Sequence, residues 1–438
     1  MIDITLIRDA SDIVKDSQKK RGMDESVVDQ LLKLDKDWRS LKKEVDELRS
    51  RRNKISEDIN IARKSGRNAD SLLKQAKEIP QELARLEAVM KERETERNRL
   101  WKEIPNIIDK SVPVGDASRN KVIETHGKIS KPKFLHKDHA DILESLDLLD
   151  TQTASNVSAS RFYYLKGNLV KLNYAIISFA LNFLAKRHFT LIQPPFMLRR
   201  EVLEGALPLG IFDEMIYKIE GEDLYLIGTA EHAINAYYYN KEIQSNEMPI
   251  RFAGISTSFR KEAGAHGKDT KGIFRVHQFE KVEQFVFCRP EQAWKEFELI
   301  LDNSRQLLKA LEIPFRFVVL SSQEMGRVPV KTIDFEGYFP SQKAYCELGS
   351  CSNCTDYQAR RSNIRFSDGR EMKFVNTLNN TAIATERMIA CLIDNNQQPD
   401  GSIKIPKALW PYTKFKEIKA KKSVKKEKKS NNKVKKRE

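Results

Sequence analysis

Apolar residues recur along the first hundred positions at steps that alternate between three and four: Val27, Leu31, Leu34, Trp38, Leu41, Val45, Leu48, then Ile55 and Ile59, with Arg52 filling one intervening slot. That spacing is the seam of a heptad helix, which needs a partner along its apolar edge. The pattern breaks at Ser65-Gly66-Arg67-Asn68, and a second seam runs through Leu72, Ala76, Ile79, Leu83, Leu86, Met90, Leu100 and Ile104. Two helices joined by so short a polar turn run antiparallel, and residues 27–62 predict an arm of roughly 50 Å at 1.5 Å per residue. Pro80 sits inside the second seam and predicts a kink or a restart, because it removes a ladder donor and crowds the preceding turn. Residues 1–26 read as a short polar lead-in. Pro105, Pro113 and Gly115 mark 105–120 as a flexible linker. These boundaries divide the chain into an N-terminal domain over 1–104 (arm about 27–104), a body over 121–413 and a tail over 414–438, with the body keeping its own core.

Beyond the linker the period changes. Within Leu169–Leu184, residues Leu172, Ile176, Phe179 and Phe183 fall at helical spacing, while Lys171, Asn173, Ser178 and Asn182 interrupt the apolar run. This predicts a buried amphipathic helix, since no continuous apolar run reaches the roughly 20 residues of a membrane span. Ile250–Phe259 and Val276–Cys288 mix β-branched and aromatic residues with polar ones around Gly264, Gly267 and Gly272. They predict two antiparallel strands joined by a long loop. Alternation then sorts the side chains: Arg275, His277, Phe279, Lys281 and Glu283 share one face, and Arg260 and Glu262 share a face on the partner strand. At about 3.3 Å per residue, Phe279 and Glu283 lie roughly 13 Å apart, the span of an adenosine plus a small group beyond its phosphate. Such a face suits a nucleotide activated against a small amine-bearing substrate.

Composition adds limits. A chain of 438 residues with 40% hydrophobic content has enough apolar surface for two or three domains. The formal charge of +15 is unevenly placed: +10 of it lies in Lys414–Glu438, where twelve Lys and Arg437 meet three Glu. So charged and apolar-poor a tail predicts a disordered appendage that touches RNA, serves as a nuclear address, or only keeps the chain in solution with no specific partner. Between Arg49 and Lys77, nine Lys or Arg oppose Glu57, Asp58 and Asp70, so the far end of the arm is a cation patch suited to a phosphate backbone. The N-terminus shows neither a signal-peptide nor a transit-peptide pattern, which predicts a cytoplasmic protein with a possible nuclear fraction through the tail. Five cysteines do not suggest a disulfide framework. Cys351-Ser-Asn-Cys354 has zinc-knuckle spacing, but no second Cys pair or His pair follows, so no zinc is expected. A phosphate-cradling Gly-x₄-Gly-Lys-Ser/Thr loop is also missing, since Gly267-Lys268 runs into Asp269.

Several strings carry a resemblance. Phe259-Arg260-Lys261-Glu262-Ala263-Gly264, with Arg275-Val-His-Gln-Phe279-Glu-Lys281-Val-Glu283, resembles motif 2 of the class II aminoacyl-tRNA synthetases, and within them the seryl-tRNA synthetases. Ser160-Arg161-Phe162-Tyr163-Tyr164-Leu165 resembles a family segment before motif 1, although Ala159 stands where glycine is common, and Phe189 to Pro195 resembles motif 1 itself. Thr229-Ala230-Glu231 resembles the family's serine-contacting turn. Cys346-Glu347 through Arg361 is a long, nearly unbroken match, and Thr377-Leu-Asn379-Asn-Thr381 through Arg387 resembles motif 3 in its eukaryotic and archaeal wording.

The resemblance implies an α+β body, a class II antiparallel sheet flanked by helices, dimeric through the motif 1 region, with the N-terminal arm gripping tRNA. It implies activation of L-serine with ATP to seryl-adenylate, then transfer to tRNA(Ser) and, where present, tRNA(Sec). By carry-over, Arg260 binds the α-phosphate and serine, Arg387 and Arg275 the outer phosphates, Phe279 and Glu262 the adenine, and Glu347 and Ser350 the Mg²⁺ that accompanies ATP. Thr229, Glu231, Glu283, Asn379 and Thr381 form the serine pocket, with Glu231 and Glu283 on its ammonium and hydroxyl. On the arm, Arg51, Arg52, Lys54, Arg63 and Lys64 are the expected tRNA contacts. The competing reading is a catalytically silent paralogue that binds RNA or acts as a scaffold; the intact arginines and carboxylates oppose it.

Overall fold

The structure, a computed structural model, describes residues 1–129, 134–208, 214–262 and 271–420. The loop glycines 264 and 267 and the tail from 421 onward lie outside these. The body is built on an eight-stranded sheet whose spatial order is Lys121–His126, Phe315–Val319, Lys331–Phe339, Ala344–Thr355, Asn376–Ala384, Gln278–Cys288, Ile250–Phe259 and Thr190–Ile192. Neighbours are antiparallel except at the last edge, where Thr190–Ile192 runs parallel to Ile250–Phe259.

Alternation along Gln278–Cys288 decides what each face does. Val282, Val286 and Cys288 enter the main core, packed with residues of the helices Asn168–Ala185, Ala293–Ala310 and Thr385–Asn396. Phe285 and Phe287, pointing the other way, enter a second core with Ala230, Ile234 and Ile364. Lys281 and Glu283 share that second face where it opens into a cleft. The strand begins at Gln278, so Arg275 and His277 precede it rather than sharing its alternation as the sequence suggested. Helix Asn168–Ala185 buries Leu172 and Ile176, as its spacing predicts, together with Leu169, Ala180 and Leu184, while Phe179 and Phe183, expected on the same face, are only half-buried at its edge.

The N-terminal region holds four helices: α1 (Ile4–Asp9), α2 (Ser11–Lys20), α3 (Ser26–Lys64) and α4 (Asp70–Glu103). The expected polar lead-in is thus two helices. Both are too short for periodicity to reveal, and each contributes one or two apolar residues, Ile7 and Val14, to a core with Val28, Leu31, Leu100 and Ile104. α3 and α4 form the antiparallel arm, turning at Gly66, whose φ of +67° favours a residue without Cβ. Two small apolar clusters punctuate it: Val45, Leu83 and Leu86 nearer the body, and Ile55, Ile59 and Ile79 farther out. α4 runs through Pro80 without a break, so the expected restart is absent. The proline lies on the exposed side, where water can satisfy the carbonyl it leaves without a donor.

At the base of the arm a fully buried Asp35 binds three arginines. Arg8 clasps it with two bonds of 2.8 Å, Arg97 adds one at 2.8 Å and Arg39 one at 2.9 Å. Arg97 is in turn sandwiched near Trp38 and Trp101, 4.6 and 5.1 Å from their ring centres. Burial alone would raise the Asp35 carboxyl, but the hydrogen bonds and charges of Arg8 and Arg97 bring it down to about 2.

Residues 105–120 are a fixed strap, not the loose linker expected. Asn106 donates through its amide nitrogen to Val328 O and Cys354 O, both at 2.9 Å, and backbone bonds join Asn106 to Arg327 and Asp109 to Val330. Arg21 adds bonds to Gly326 O and Pro329 O. Tyr357 of the body completes the N-terminal core, so the body does not keep a wholly separate core.

Asp35→Ala leaves three arginines facing a void and should cost about 3 kcal/mol or more. Because the Asp35 pKa lies below its unfolded value of about 3.9, its contribution is present above that pH and lost as pH falls through about 2. Thermal melts should therefore show the variant well below wild type at pH 7, with the gap closing on acidification. Equal melting temperatures at pH 7 would refute this role.

Candidate active site

The antiparallel pair Ile250–Phe259 and Gln278–Cys288 forms the floor of a cleft of about 150 Å³. Arg260 follows the first strand directly, and its backbone N–H donates to His277 O at 2.9 Å, which carries the pairing one step beyond the strand. Its side chain is held from two directions: Nε donates to Gly228 O at 3.1 Å, and the guanidinium lies 5.2 Å from the centre of the Phe279 ring. Burial, and then the charge of Arg387, lower its pKa from the usual arginine value.

The other cations at this end have carboxylate partners. Arg275 Nε meets Glu262 Oε2 at 2.6 Å, and Arg387 Nη1 meets Glu347 Oε1 at 2.8 Å. Glu262 sits at φ +47°, an unfavourable conformation for a residue with a Cβ, and Arg161 holds its carbonyl at 2.8 Å. Phe274 underlies Arg387, 5.4 Å from ring centre to guanidinium.

The residues at the opposite end are more deeply buried. Thr229 caps helix Ala230–Tyr237, its hydroxyl accepting from Glu231 N at 3.2 Å. That helix lies close on the sheet because Gly254 has no side chain: a Cβ there would come within 2.5 Å of Ile234 Cδ1. The close approach carries Glu231 into the pocket, where its Oε1 accepts from Gln358 Nε2 at 2.6 Å and Asn379 Nδ2 at 3.1 Å. Burial, reinforced by the charge of Glu283, pushes the Glu231 carboxyl up to about 7. Glu283 itself pairs through Oε2 with Lys281 Nζ at 2.5 Å and takes a longer bond from the Thr381 hydroxyl at 3.4 Å. Beneath Glu231, His232 is buried and held down to about 3, so it stays neutral, its Nδ1 accepting from Gly228 N at 3.3 Å.

All twelve residues that the sequence assigned to nucleotide, magnesium and serine line this one cleft: Arg260, Glu262, Arg275, Phe279, Glu347, Ser350 and Arg387 toward one end, Thr229, Glu231, Glu283, Asn379 and Thr381 toward the other. His277, expected on the same face, is outside it, stacked on Phe162 and bonded to Tyr217. Sequence patterns assigned no part to Gln358, which reaches Glu231 from the short helix Tyr357–Ser362, or to Glu386. Glu386 lines the cleft, is pushed up by burial to about 7, accepts from Glu280 N, and is bonded to the Tyr163 hydroxyl. Lys281 could be placed by strand alternation, but its ion pair could not. Cys351 and Cys354 are both buried; Cys351 lies 4.0 Å from Phe297 O and Cys354 accepts from Asn379 at 3.5 Å. On the arm, Arg51, Arg52, Lys54, Arg63 and Lys64 are all exposed along the outer half of α3.

Comparison with known proteins extends these findings over almost the whole chain. Residues 1–108 match the family model of the seryl-tRNA synthetase N-terminal domain, and residues 216–396 that of the class II tRNA synthetase core domain (G, H, P, S and T). A serine–tRNA ligase of Nitrosopumilus maritimus is 44% identical over 415 residues, covering 94% of this chain and 98% of its own. The crystal structure of seryl-tRNA synthetase from Pyrococcus horikoshii complexed with ATP superposes with a TM-score of 0.90 at 44% identity, covering 95% of this chain and 99% of that one. The cytoplasmic serine–tRNA ligase of Naegleria fowleri, in complex with AMP, gives 0.85 at 36% identity, with 96% and 99% covered.

The raised Glu231 carboxyl has a signed consequence. Its folded pKa of about 7 exceeds the ordinary glutamate value, so ionising it in place weakens the fold as pH rises through 7. Relative to wild type, Glu231→Gln should gain stability in melts as pH rises from about 5 to about 7 and hold that gain above it. A difference that does not change with pH would show that Glu231 does not titrate there.

Proposed function

This chain belongs to the seryl-tRNA synthetases, activating serine with ATP and charging tRNA with it, and we propose that the residues of the cleft divide that work by charge. The serine carboxylate attacks the α-phosphorus of ATP; a carboxylate oxygen–phosphorus bond forms, the bond to the bridging oxygen breaks, and pyrophosphate leaves. The nucleophile is already ionised, so no general base is required. Negative charge builds on the α-phosphoryl oxygens, and Arg260 is the cation aimed there, fixed in advance by Gly228 O and Phe279. Phe279 stacks the adenine beside it and Glu262 reads the base edge. Arg387 and Arg275 take the outer phosphates from the positions in which Glu347 and Glu262 hold them.

Magnesium fits the same corner on donor chemistry. Glu347 keeps a carboxylate oxygen not used by Arg387 and Ser350 adds a hydroxyl, both hard oxygen donors of the kind Mg²⁺ prefers alongside phosphates. When bound there, the ion supplies neutralisation of phosphate charge. At the far end Glu231 and Glu283 bind the ammonium and hydroxyl of serine, with Thr229, Asn379 and Thr381 around them. In the second step a terminal ribose hydroxyl of tRNA attacks the seryl carbonyl and AMP departs. The arm grips the tRNA through its outer cations, including Arg52, Lys54, Arg63 and Lys64. A homodimer would form through the motif 1 region, where the edge strand Thr190–Ile192 and the adjoining helix present Leu191 and Tyr174, 46% and 59% exposed.

The observation that carries this reading is the ordering of the cleft: phosphate-seeking arginines at one end, paired buried carboxylates at the other, joined by one strand. Amino-acid-dependent ATP–pyrophosphate exchange over all twenty amino acids tests it. Exchange should depend on serine, and silence with serine would overturn it. The arm can be tested separately. Replacing residues 52–79 with a short Gly-Ser turn removes the Ile55–Ile59–Ile79 cluster and most of the outer cations, while sparing the Val45–Leu83–Leu86 cluster and the docked base. That variant should keep serine-dependent exchange and lose roughly a hundredfold or more in tRNA charging, as expected when several phosphate contacts go. Near-normal charging would mean that the tRNA is recognised elsewhere.

A further inference from the structure

Two carboxylates in one dry pocket are an electrostatic problem, and the second of them has a resident solution. Glu231 and Glu283 arrive from different elements, a helix N-terminus and a central strand, and each is nearly or wholly buried. Carboxylates so close tend to share a proton, which turns one of them into a hydrogen-bond donor. Lys281, two residues before Glu283 on the same strand face, places its ammonium 2.5 Å from Glu283 Oε2 with both side chains less than a tenth exposed. Thr381 leans on the same oxygen. Among the described residues nothing is bonded to Oε1 of Glu283, and Glu283 lines the cleft.

Among the described residues, the other ionisable groups around Glu283 are Glu231 from helix Ala230–Tyr237, Arg260 at the end of the neighbouring strand, and the buried Cys351 thiol from Ala344–Thr355. The strand Asn376–Ala384 adds only neutral groups, Asn379, Asn380 and Thr381. Arg260 is committed to Gly228 O and the face of Phe279. Lys281 is therefore the cation that compensates Glu283.

We propose that Lys281 is a positioning residue for the amino-acid substrate: its ammonium keeps Glu283 an acceptor-only carboxylate, fixes it through Oε2, and leaves Oε1 to receive the serine hydroxyl. The inference rests on the reading of this end of the cleft as the serine pocket. An acceptor of this kind discriminates strongly, because alanine or glycine in the same place leaves a buried charged oxygen without a partner. A Glu283 released from Lys281 could turn its oxygens to other partners, and the selectivity would fall.

The test is ATP–pyrophosphate exchange with serine, alanine and glycine at pH 7, on wild type and Lys281→Met. Serine-dependent exchange by the wild type establishes the pocket first; its failure would strike the functional reading and not this inference. In Lys281→Met, KM for serine should rise at least about tenfold with a smaller change in kcat, and the preference for serine over alanine should fall by a similar factor. A KM within about threefold of wild type, or a KM defect that leaves the serine-to-alanine preference intact, overturns the proposal. Should the methionine variant fail to fold, judged by thermal melting, Lys281→Gln keeps a donor to Oε2 without the charge and must show the same loss of serine preference. Wild-type selectivity in Lys281→Gln would also overturn it.

Discussion

A charge moved out of water costs several kcal/mol unless something compensates it, and the cleft of this protein holds many of them. Its architecture is largely the answer to that constraint. Arg275 rests on Glu262, Arg387 on Glu347, Lys281 on Glu283, and Arg260 on a carbonyl and a ring. Apart from Lys281 and Glu283, which are neighbours on one strand face, the partners come from different segments, so the hairpin, the strand Ala344–Thr355 and the helix Thr385–Asn396 must come together before those pairs close. Cations held this way need not reorganise when phosphate charge develops, which is where electrostatic catalysis gains most. The carboxylates left partly uncompensated, Glu231 above all, are at the end that receives an ammonium.

The same constraint governs the arm. Its seam is apolar except at the base, where Asp35 gathers Arg8, Arg39 and Arg97. Three helices, α1, α3 and α4, are thereby tied at one buried carboxylate, and Arg21 with the 105–120 strap ties them to the body. The outer half has no such anchor. It carries exposed cations over one small apolar cluster, so its base is fixed to the catalytic body and its tip is free to meet a large polyanion.

What could be read from the sequence was whatever has a period or a dense local string. Heptads marked the arm, alternation marked the face of Gln278–Cys288, and the strings of the resemblance located the twelve assigned residues now found lining the cleft. What escaped depends on contacts distant in sequence. α1 and α2 are shorter than any periodicity can register. The 105–120 strap has the proline and glycine content of a linker, and only Asn106 bonding to Val328 and Cys354 makes it rigid. Arg97 and Asp35 are 62 residues apart, and Gln358 lies 127 residues from the Glu231 it supports. Pro80 misled in the opposite direction, because an exposed carbonyl can turn to water and let the helix continue.

The central claim is that the cleft is organised for an acyl-adenylate before that ligand arrives. A crystal structure of the protein with a non-hydrolysable seryl-adenylate analogue tests it most directly. The account predicts the adenine against Phe279, the phosphate mimic on Arg260, and the serine hydroxyl on Glu283 Oε1. Lys281 should remain on Oε2 and Arg387 and Arg275 should stay within a rotamer of their present positions. An analogue bound away from the Gln278–Cys288 strand, or a cleft whose ion pairs all break and re-form around it, would contradict the account.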